Sequence, residues 1–487
     1  MDRDDSICFL LGNAPKQIRC TEPSMTVLQY LRQKERMTGT KEGCAEGDCG
    51  ACTVVIGSLE QGAIRYEAVN SCIMFLPFLH GKQLIAVEHL CDRDGTMHPV
   101  QQAMVDEHGS QCGFCTPGFV MSMFAMVHNR VKPDKASVDN AIAGNLCRCT
   151  GYVPIVRAAR SVLSAQIHDK FDQREDETIE QLRSLNASKS VRAGSEGKLY
   201  FSPSTTNELA QILAQRPNSR IVAGATDVGL WVTKQGRSLG TIVYIGAIDS
   251  LKQVTVENAA IRMGAGVSVS RAMDVISQHY PSMKQLFDRY GSVQIRNLAT
   301  IGGNVANGSP IGDSLPALVA LDAKLAIESA SGSREISAEE FFIDYGVQDL
   351  HRGEFLSQII IPLPIARQQF RIYKLSKRYH QDISAVCGAF SIVSEQTRKI
   401  KSARVCFGGM APTPRRAFQC EQALVRYGLT QKGIDAAKRA LQEDYTPISD
   451  FRGSDAYRMH AAGSLVEKFV NEISSAGKQS VWENLHA

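Results

Sequence analysis

The sequence predicts a multidomain α+β protein, and three observations support this fold class. The chain has 487 residues, which at roughly 100–200 residues per domain corresponds to about three or four domains. Its hydrophobic content of 44% and charged content of 21% are ordinary for a globular protein. Short β-like runs are mixed with helical patterns over most of its length.

Composition also argues against several function classes. The net charge of +4 is not gathered into a basic stripe, so the sequence does not predict nucleic-acid binding. No uncharged apolar run approaches the roughly 18 residues of a membrane-spanning helix. The first residues, MDRDDSICFL, are acidic, whereas a signal peptide begins with basic residues. We therefore expect a cytoplasmic protein that binds neither nucleic acid nor membrane.

The order of the predicted elements divides the chain into four domains and a linker. Strands around one short helix are followed by a helical stretch, and mixed α and β patterns occupy the rest. Ten of the 23 residues in 168–190 are charged, which is typical of an exposed linker. The predicted parts are a β-rich domain over 1–90, a helical domain over 91–167, the linker over 168–194, an α+β domain over 195–370 and a terminal domain over 371–487.

Eleven of the 14 cysteines precede residue 150, and four of them form a first cysteine set. Its spacing is Cys44-x4-Cys49-x2-Cys52, with Cys72 further along. This is the plant-type spacing of a [2Fe–2S] cluster. Glycines in the loop EGCAEGDCGACTV allow the backbone to fold closely and to direct N–H groups at sulfur. The alternatives are a zinc site, which more often pairs two C-x2-C motifs, or buried free thiols.

A second cysteine set combines Cys112-x2-Cys115 with Cys147-x-Cys149. This spacing alone permits zinc as well as a cluster. The motif CGFCTPG opens one predicted helix and GNLCRCTGY ends another, so helix ends would meet at the metal. Backbone dipoles at such ends favour an anionic cluster, but the spacing leaves both metals open.

Two glycine-rich turns, within 221–228 and 296–313, are candidates for binding a diphosphate. Glycine allows close backbone approach and exposed N–H groups. Neither turn has the G-x-G-x-x-G fingerprint of a doubly wound dinucleotide fold. The residues alone therefore leave a cofactor site and an ordinary loop both open.

The cysteine motifs KEGCAEGDCGACTV, QCGFCTPG and GNLCRCTGY resemble the paired [2Fe–2S] domains of the molybdenum hydroxylases, the family of xanthine dehydrogenases and aldehyde oxidases. The resemblance implies a ferredoxin-like β-grasp domain and a helical domain, each with one [2Fe–2S] cluster. It also implies that Gln111 lies beside the molybdenum pterin. The other cysteines are expected to be packing residues. The implied iron ligands are Cys44, Cys49, Cys52, Cys72, Cys112, Cys115, Cys147 and Cys149.

The segments VAGATDV and ATIGGNVANGSPIGD are similar to the FAD-binding segments of the same family. The resemblance implies an α+β FAD-binding domain of the PCMH or vanillyl-alcohol-oxidase type, followed by a C-terminal α/β domain like that of CO dehydrogenase flavoproteins. In relatives the position of Tyr290 stacks near the isoalloxazine, where animal enzymes have phenylalanine; a half-buried core aromatic is the alternative. The implied FAD residues are Ile221, Val222, Ala223, Gly224, Ala225, Thr226, Asp227, Val228, Tyr290, Thr300, Ile301, Gly302, Gly303, Asn304, Asp313, Leu356 and Lys374.

The resemblance extends over about residues 6–430 and does not include a molybdenum-pterin domain. It implies an oxidoreductase subunit that takes electrons from the molybdenum pterin of a large partner subunit, where a purine would be hydroxylated. The electrons would pass through both clusters to FAD and then to NAD+, in an (αβ)2 heterotetramer. The loop 376–384, which influences the acceptor in animal relatives, differs here. The alternatives are a subunit that serves an aldehyde or N-heterocycle hydroxylase, or a stand-alone redox carrier or sensor.

Overall fold

A computed structural model describes residues 6–92, 94–165, 167–186, 190–195, 197–395 and 399–474. The outer ends of the predicted first and terminal domains, and residues 187–189 of the predicted linker, lie outside these ranges. Contacts divide the chain into two compact units, which are described separately. The first unit is Met1–Leu209, Asn218–Asp249 and Gly291–Ala299, and the second is Ala210–Pro217, Ser250–Tyr290 and Thr300–Ala487.

The first unit begins with a five-stranded sheet around one short helix. Thr26 starts the helix in a capping box with Gln29, and a π-helical turn over Tyr30–Lys34 continues it. The strand order is β2-β1-β5-β3-β4, with β1 and β5 parallel and the other pairs antiparallel. The first cysteine loop lies between the helix and the third strand. The elements are β1 (Ser6–Leu11), β2 (Ala14–Arg19), α1 (Val27–Gln29), β3 (Thr53–Glu60), β4 (Ala63–Asn70) and β5 (Gln83–Ile85).

Four helices follow, and α3 (Thr116–His128) lies at their centre. It is buried continuously from Gly118 to Met126, as expected for a helix that is apolar on every side. Cys115 immediately precedes α3, and the last two cysteines of the second set lie between the third and fourth helices of this group. The other three are α2 (Pro99–Asp106), α4 (Lys135–Ile142) and α5 (Val153–Ser164).

The segment predicted as an exposed linker instead contains two helices, α6 (Lys170–Gln173) and α7 (Glu175–Asn186). Phe171 and Leu182 are buried, and the Asp169 carboxylate caps α6. The charged composition did not predict this packing, because only a few residues of the segment are buried and their partners lie elsewhere in the chain.

The first unit also contains a four-stranded sheet, with the strand order β6-β7-β9-β8. Its last three strands are parallel, and it shares a core with the first sheet. The ring of Phe78 stacks on that of Tyr244 with centroids 4.0 Å apart. The elements are β6 (Val191–Ser195), β7 (Lys198–Ser202), α8 (Thr206–Gln215), β8 (Arg220–Val222), α9 (Val228–Thr233) and β9 (Ile242–Tyr244). From Ala210 onward, α8 belongs to the second unit.

The second unit contains an antiparallel sheet in the order β10-β11-β16-β12-β13 and a hairpin, β14-β15. Among the helices in this stretch of sequence, α12 belongs to the first unit. The elements are β10 (Val254–Glu257), β11 (Ala260–Gly264), α10 (Val269–His279), α11 (Ser282–Asp288), α12 (Val293–Leu298), α13 (Ile301–Asn307), α14 (Leu315–Ala320), β12 (Lys324–Ser329), β13 (Gly332–Ser337), α15 (Ala338–Phe341), β14 (Phe342–Asp344), β15 (Val347–Gln348) and β16 (Phe355–Pro362).

The second unit ends in an antiparallel sheet, β17-β18-β19-β20, which packs against three helices. Phe390 of the sheet stacks on Phe469 of the last helix with centroids 4.8 Å apart. Within the described residues, no helix is both long and apolar enough to cross a membrane. The elements are β17 (Gln368–Leu375), β18 (Val386–Ser394), β19 (Ile400–Gly408), β20 (Arg415–Arg416), α16 (Phe418–Tyr427), α17 (Gln431–Asp444) and α18 (Asp455–Ser474).

Candidate cluster and flavin sites

The structure brings the four thiols of the first cysteine set together. The sulfurs of Cys52 and Cys72 are 3.3 Å apart, and the thiols of Cys49 and Cys72 both hydrogen-bond that of Cys44. These two thiols and backbone N–H groups hold the pKa of Cys44 well below its usual range. A thiolate is the form that binds a metal. All 14 cysteines lie within the described residues and are free thiols.

Backbone N–H groups surround the sulfur of Cys44, as an anionic cluster requires. The donors are Glu46 at 3.4 Å and both Asp48 and Cys49 at 3.3 Å. Glycines shape the loop that presents these groups. Gly47 has a φ of +80°, and a Cβ on Gly43 would lie 2.8 Å from the Cys49 sulfur. The loop therefore fits a [2Fe–2S] cluster bound by the four thiolates.

The second cysteine set also converges, but nearer the surface. The sulfurs of Cys112 and Cys149, both exposed, are 3.6 Å apart. Cys115 and Cys147 form a second thiol pair. Burial, with this hydrogen bond, raises the pKa of Cys115 to about 12. The four thiols fit a second metal centre with one open edge.

Residues of the later part of the chain cover the first cysteine set within the first unit. Lys234 Nζ donates to the Cys44 carbonyl oxygen at 2.8 Å, and Thr233 Oγ1 donates to that of Ala45 at 2.8 Å. Ile295 on α12 packs against the small buried cluster that contains Cys52 and Cys72. These covering residues were missed by sequence reasoning, since they are about 160–250 positions from the cysteines and belong to no cysteine motif.

The predicted FAD residues divide between the two units, and the segment 221–228 lies in the first. It runs from β8 through a turn into α9. A Cβ on Gly224 would lie 1.7 Å from the Leu298 carbonyl oxygen, so only glycine fits there. Ala225 has a φ of +58°, and burial raises the pKa of Asp227. This turn presents tightly folded backbone, which suits close approach of a dinucleotide.

The remaining predicted FAD residues lie in the second unit, where 300–304 forms the start of α13. Thr300 Oγ1 accepts from the Gly303 N–H at 2.9 Å. A Cβ on Gly302 would lie 2.4 Å from the Ala265 carbonyl oxygen. Leu356 is buried on β16 opposite Ile327. Because these glycines have no side chains, they do not cover the backbone of this turn, as a phosphate-binding turn requires.

Asp313 and Lys374 form a buried ion pair in the second unit. Ser384 Oγ donates to the other carboxylate oxygen of Asp313 at 2.5 Å. Tyr290 hydrogen-bonds Asn304, while burial and the Asp313 charge raise the pKa of its phenol. The structure thus connects Asp313 with Lys374, and Tyr290 with Asn304.

Arg289 fixes the loop 376–384, a role that sequence reasoning missed. Its guanidinium donates to the carbonyl oxygens of Lys374 at 2.7 Å and Tyr379 at 3.1 Å, and to Ser376 Oγ at 2.8 Å. It also lies 4.9 Å from the centroid of the Tyr379 ring. Arg289 precedes the predicted FAD residue Tyr290, but its place in the sequence does not indicate its partners, so only three-dimensional contacts identify this role.

Four family models match successive parts of the chain. They are the 2Fe-2S iron-sulfur cluster binding domain (residues 10–77), the [2Fe-2S] binding domain (86–160), the FAD binding domain in molybdopterin dehydrogenase (190–364) and the CO dehydrogenase flavoprotein C-terminal domain (371–473). The chain has the domain architecture of molybdenum hydroxylase iron–sulfur and flavin subunits. The predicted multidomain fold class is confirmed. Two [2Fe–2S] domains are present, which favours iron over zinc for the second cysteine set.

Curated relatives include xanthine dehydrogenases. That of Emericella nidulans is 30% identical over 97% of this chain and 39% of its own length. The xanthine dehydrogenase/oxidase of Gallus gallus is 29% identical over 90% of this chain and 38% of its own. The chain thus spans about two fifths of the length of these relatives.

Two solved structures share the fold of more than half of this chain. CO dehydrogenase from Oligotropha carboxidovorans aligns with a TM-score of 0.53 and 23% identity, over 56% of this chain and 96% of that chain. Quinoline 2-oxidoreductase from Pseudomonas putida 86 aligns with a TM-score of 0.52 and 22% identity, over 57% and 96%. At such identities the likeness shows the fold alone.

Proposed function

We propose that the chain is the small, electron-transfer subunit of a xanthine dehydrogenase. A large partner subunit holds the molybdenum pterin and oxidises hypoxanthine and xanthine to urate. Electrons pass from that subunit through the two [2Fe–2S] clusters to FAD, and NAD+ accepts them in the cytoplasm. The clusters and the flavin supply the redox chemistry, while this chain positions them and tunes their potentials.

One observation carries the proposal: the two cysteine sets lie in series within the first unit. The second set is open to the surface at Cys112 and Cys149. The Leu146 N–H, next to Cys147, donates to the Cys49 carbonyl oxygen of the first set at 2.9 Å. The first set is in turn covered by Lys234 and by Ile295, in the parts of the chain that match the FAD binding domain. Electrons entering at the second set therefore leave through the first.

The surface around the second cysteine set supports docking of the partner there. Phe114, Leu146 and Val153 are exposed, by 47%, 43% and 57% respectively. An apolar cavity of about 550 Å³ opens beside the same loop, lined by Met97, Val105 and others. Exposed apolar patches of this kind mark protein interfaces. We propose that the molybdenum subunit covers them and places its pterin beside Gln111, in an (αβ)2 assembly.

The flavin residues named above have distinct proposed roles. The segment 221–228 cradles the dinucleotide, 300–304 and Asp313 hold its phosphate and ribose, and Tyr290 lies against the ring system. Leu356 is a further apolar contact. Lys374 neutralises the buried Asp313 carboxylate, so a second anion close by costs less than it would against an unpaired carboxylate.

A second candidate function keeps the same electron route but differs in the substrate of the partner subunit. The structure of quinoline 2-oxidoreductase shares this fold, so a partner that hydroxylates an N-heterocycle or an aldehyde is the alternative. A stand-alone redox carrier is the third, and it requires no partner.

Purification from the native cell, with metal and flavin analysis, tests the proposal. We expect four irons and one FAD per chain, together with a co-purifying molybdenum-containing chain. The complex should reduce NAD+ with xanthine faster than with an aldehyde or quinoline, and the isolated chain should oxidise none of them. Xanthine oxidation by the isolated chain would contradict this division of labour. If NADH does not reduce the flavin, NAD+ is not the acceptor.

A further inference from the structure

We propose that Asn145 is a positioning residue that holds the electron route between the two cysteine sets. This inference rests on the proposed electron-transfer function. Asn145 is not one of the implied iron ligands, and its side chain lies where the two cysteine loops meet.

One hydrogen bond joins the backbones of the two cysteine loops directly beside their cysteines. The Leu146 N–H donates to the Cys49 carbonyl oxygen at 2.9 Å, and Cys147 is covalently next to Leu146. The route from the Cys49 sulfur to the Cys147 sulfur therefore consists of covalent bonds and this single hydrogen bond. In the proposed transfer, the [2Fe–2S] cluster that the second set would hold gives up one electron, and the cluster that the first set would hold takes it up. No covalent bond forms or breaks, and no proton moves.

Asn145 precedes Leu146 and fixes its backbone through four hydrogen bonds. Its amide nitrogen donates to the Gly50 carbonyl oxygen at 3.1 Å and to Thr53 Oγ1 at 3.2 Å. Its amide oxygen accepts from Ser122 Oγ at 2.7 Å and from the Gln294 amide nitrogen at 3.1 Å. The side chain is only 3% exposed, and its full hydrogen-bonding capacity is used. A buried network of this kind permits few alternative arrangements.

Glycines at the contact between the two cysteine loops let their backbones approach closely enough to reach the Asn145 amide. A Cβ on Gly50, whose φ is +68°, would lie 2.1 Å from the Gly144 carbonyl oxygen. A Cβ on Gly118 would lie 2.3 Å from the Gly50 carbonyl oxygen. The glycines permit this approach but donate no side-chain hydrogen bond, so the Asn145 amide supplies the directional restraint.

Helix α12 supports Asn145 from outside both loops. Gln294 on this helix is fully buried, and its amide nitrogen also lies within hydrogen-bonding distance of Thr53 Oγ1, at 3.3 Å, and of Ser122 Oγ, at 3.2 Å. Asn297, one turn further on, donates to the Ala68 carbonyl oxygen at 2.9 Å. The helix thus fastens the network to the first sheet as well as to α3.

The decisive experiment measures electron transfer between the clusters in the full chain, with its iron and flavin. After flash photoreduction by one electron, freeze-quench EPR follows how the electron redistributes between the two clusters. An EPR redox titration gives their potentials separately. In Asn145→Ala we expect four irons and unchanged potentials but a several-fold slower redistribution, because the Leu146–Cys49 hydrogen bond loses its restraint.

Asn129→Ala is the matched control. Asn129 also donates its side-chain amide from this helical group to a carbonyl oxygen of the first sheet, that of Tyr66, at 2.6 Å. That bond lies away from the Leu146–Cys49 connection. We expect this variant to redistribute the electron at the wild-type rate.

Several results would overturn the proposal. They are an unchanged rate in Asn145→Ala with intact clusters, or an equal slowing in Asn129→Ala, which would indicate a general loss of packing. If Asn145→Ala loses a cluster, Gln294→Leu decides: slower redistribution supports the proposal, and the wild-type rate overturns it. A wild-type chain without iron would contradict the proposed function itself, and this inference with it.

Discussion

The ammonium group of Lys374 lies against the carboxylate of Asp313, and both side chains are almost fully buried, with 2% and 9% of their surface exposed. Ser384 Oγ donates to the same carboxylate, and Lys374 also donates to the Arg289 carbonyl oxygen at 3.2 Å. The pair links the start of α14 to β17, two elements that are far apart in sequence. Buried charges are tolerated only when they are paired in this way.

Replacing Lys374 by Met should destabilise the chain by about 3 kcal/mol, because it leaves the Asp313 carboxylate buried without its counter-charge. We also expect less FAD per chain. Urea unfolding and the flavin-to-protein ratio measure the two effects. Lys377→Met is the control, since the Lys377 ammonium is exposed and donates to the Phe451 carbonyl oxygen. A Lys374→Met protein with wild-type stability and flavin content would refute this role of the pair.

The two cysteine sets should be separable by single substitutions. Cys72→Ser removes a buried ligand of the first set while nearly preserving its volume, so we expect loss of one cluster and about half of the iron. The EPR signal of the second cluster should persist. Cys20→Ser is the control, because Cys20 is similarly buried but lies outside both sets. Loss of all iron from Cys72→Ser, or of any from Cys20→Ser, would contradict the assignment.

The convergence of the cysteines into two sets is the part of the candidate site that the sequence predicts best, because cluster chemistry requires a particular residue type at short, fixed spacings. The loop glycines are visible for the same reason. Spacing did not decide between zinc and iron for the second set, since both metals accept thiolates. The matched [2Fe-2S] binding domain over residues 86–160 favours iron.

The supporting residues could not be read from the sequence, because their partners are far away along the chain. Gln294 lies 149 positions from Asn145, and nothing local predicts that pairing. The packing of the segment predicted as a linker was missed for the same reason, because its partners are also distant in the sequence. Its charge suggests solvent exposure, yet His98 and His128, from two earlier helical segments, both bind Asp169. Periodicity predicts elements, but it does not predict which elements meet.

Gly224→Ala should disrupt the turn over 221–228, since its Cβ would lie 1.7 Å from the Leu298 carbonyl oxygen and 2.9 Å from the Ala299 nitrogen. We expect weaker FAD retention after gel filtration and a lower melting temperature. Gly236→Ala is the comparison: nothing lies within 4 Å of its Cβ, so it bears only the left-handed backbone cost of about 1 kcal/mol. Equal losses in both variants would show that steric contact at Gly224 is not the cause.

The ionised carboxylate of Asp169, hydrogen-bonded by His98 and His128, should stabilise the folded chain at neutral pH. Burial alone would raise the pKa of Asp169, but hydrogen bonds from His128 and His98 hold it well below its usual range. A folded-state pKa below the unfolded value stabilises the fold above the unfolded pKa, and this stabilisation is lost as the pH falls through the folded pKa.

Asp169→Asn tests this contribution, because asparagine caps a helix about as well as aspartate but has no charge. The variant should be less stable than the wild type by about 2 kcal/mol at neutral pH. In urea unfolding this difference should persist down to about pH 5 and shrink only below about pH 3.9, the unfolded value. Asp134→Asn, at the exposed cap of α4, should remain close to the wild type. A difference that instead fades as the pH rises from about 6 to 8 would assign the stabilisation to histidine cations.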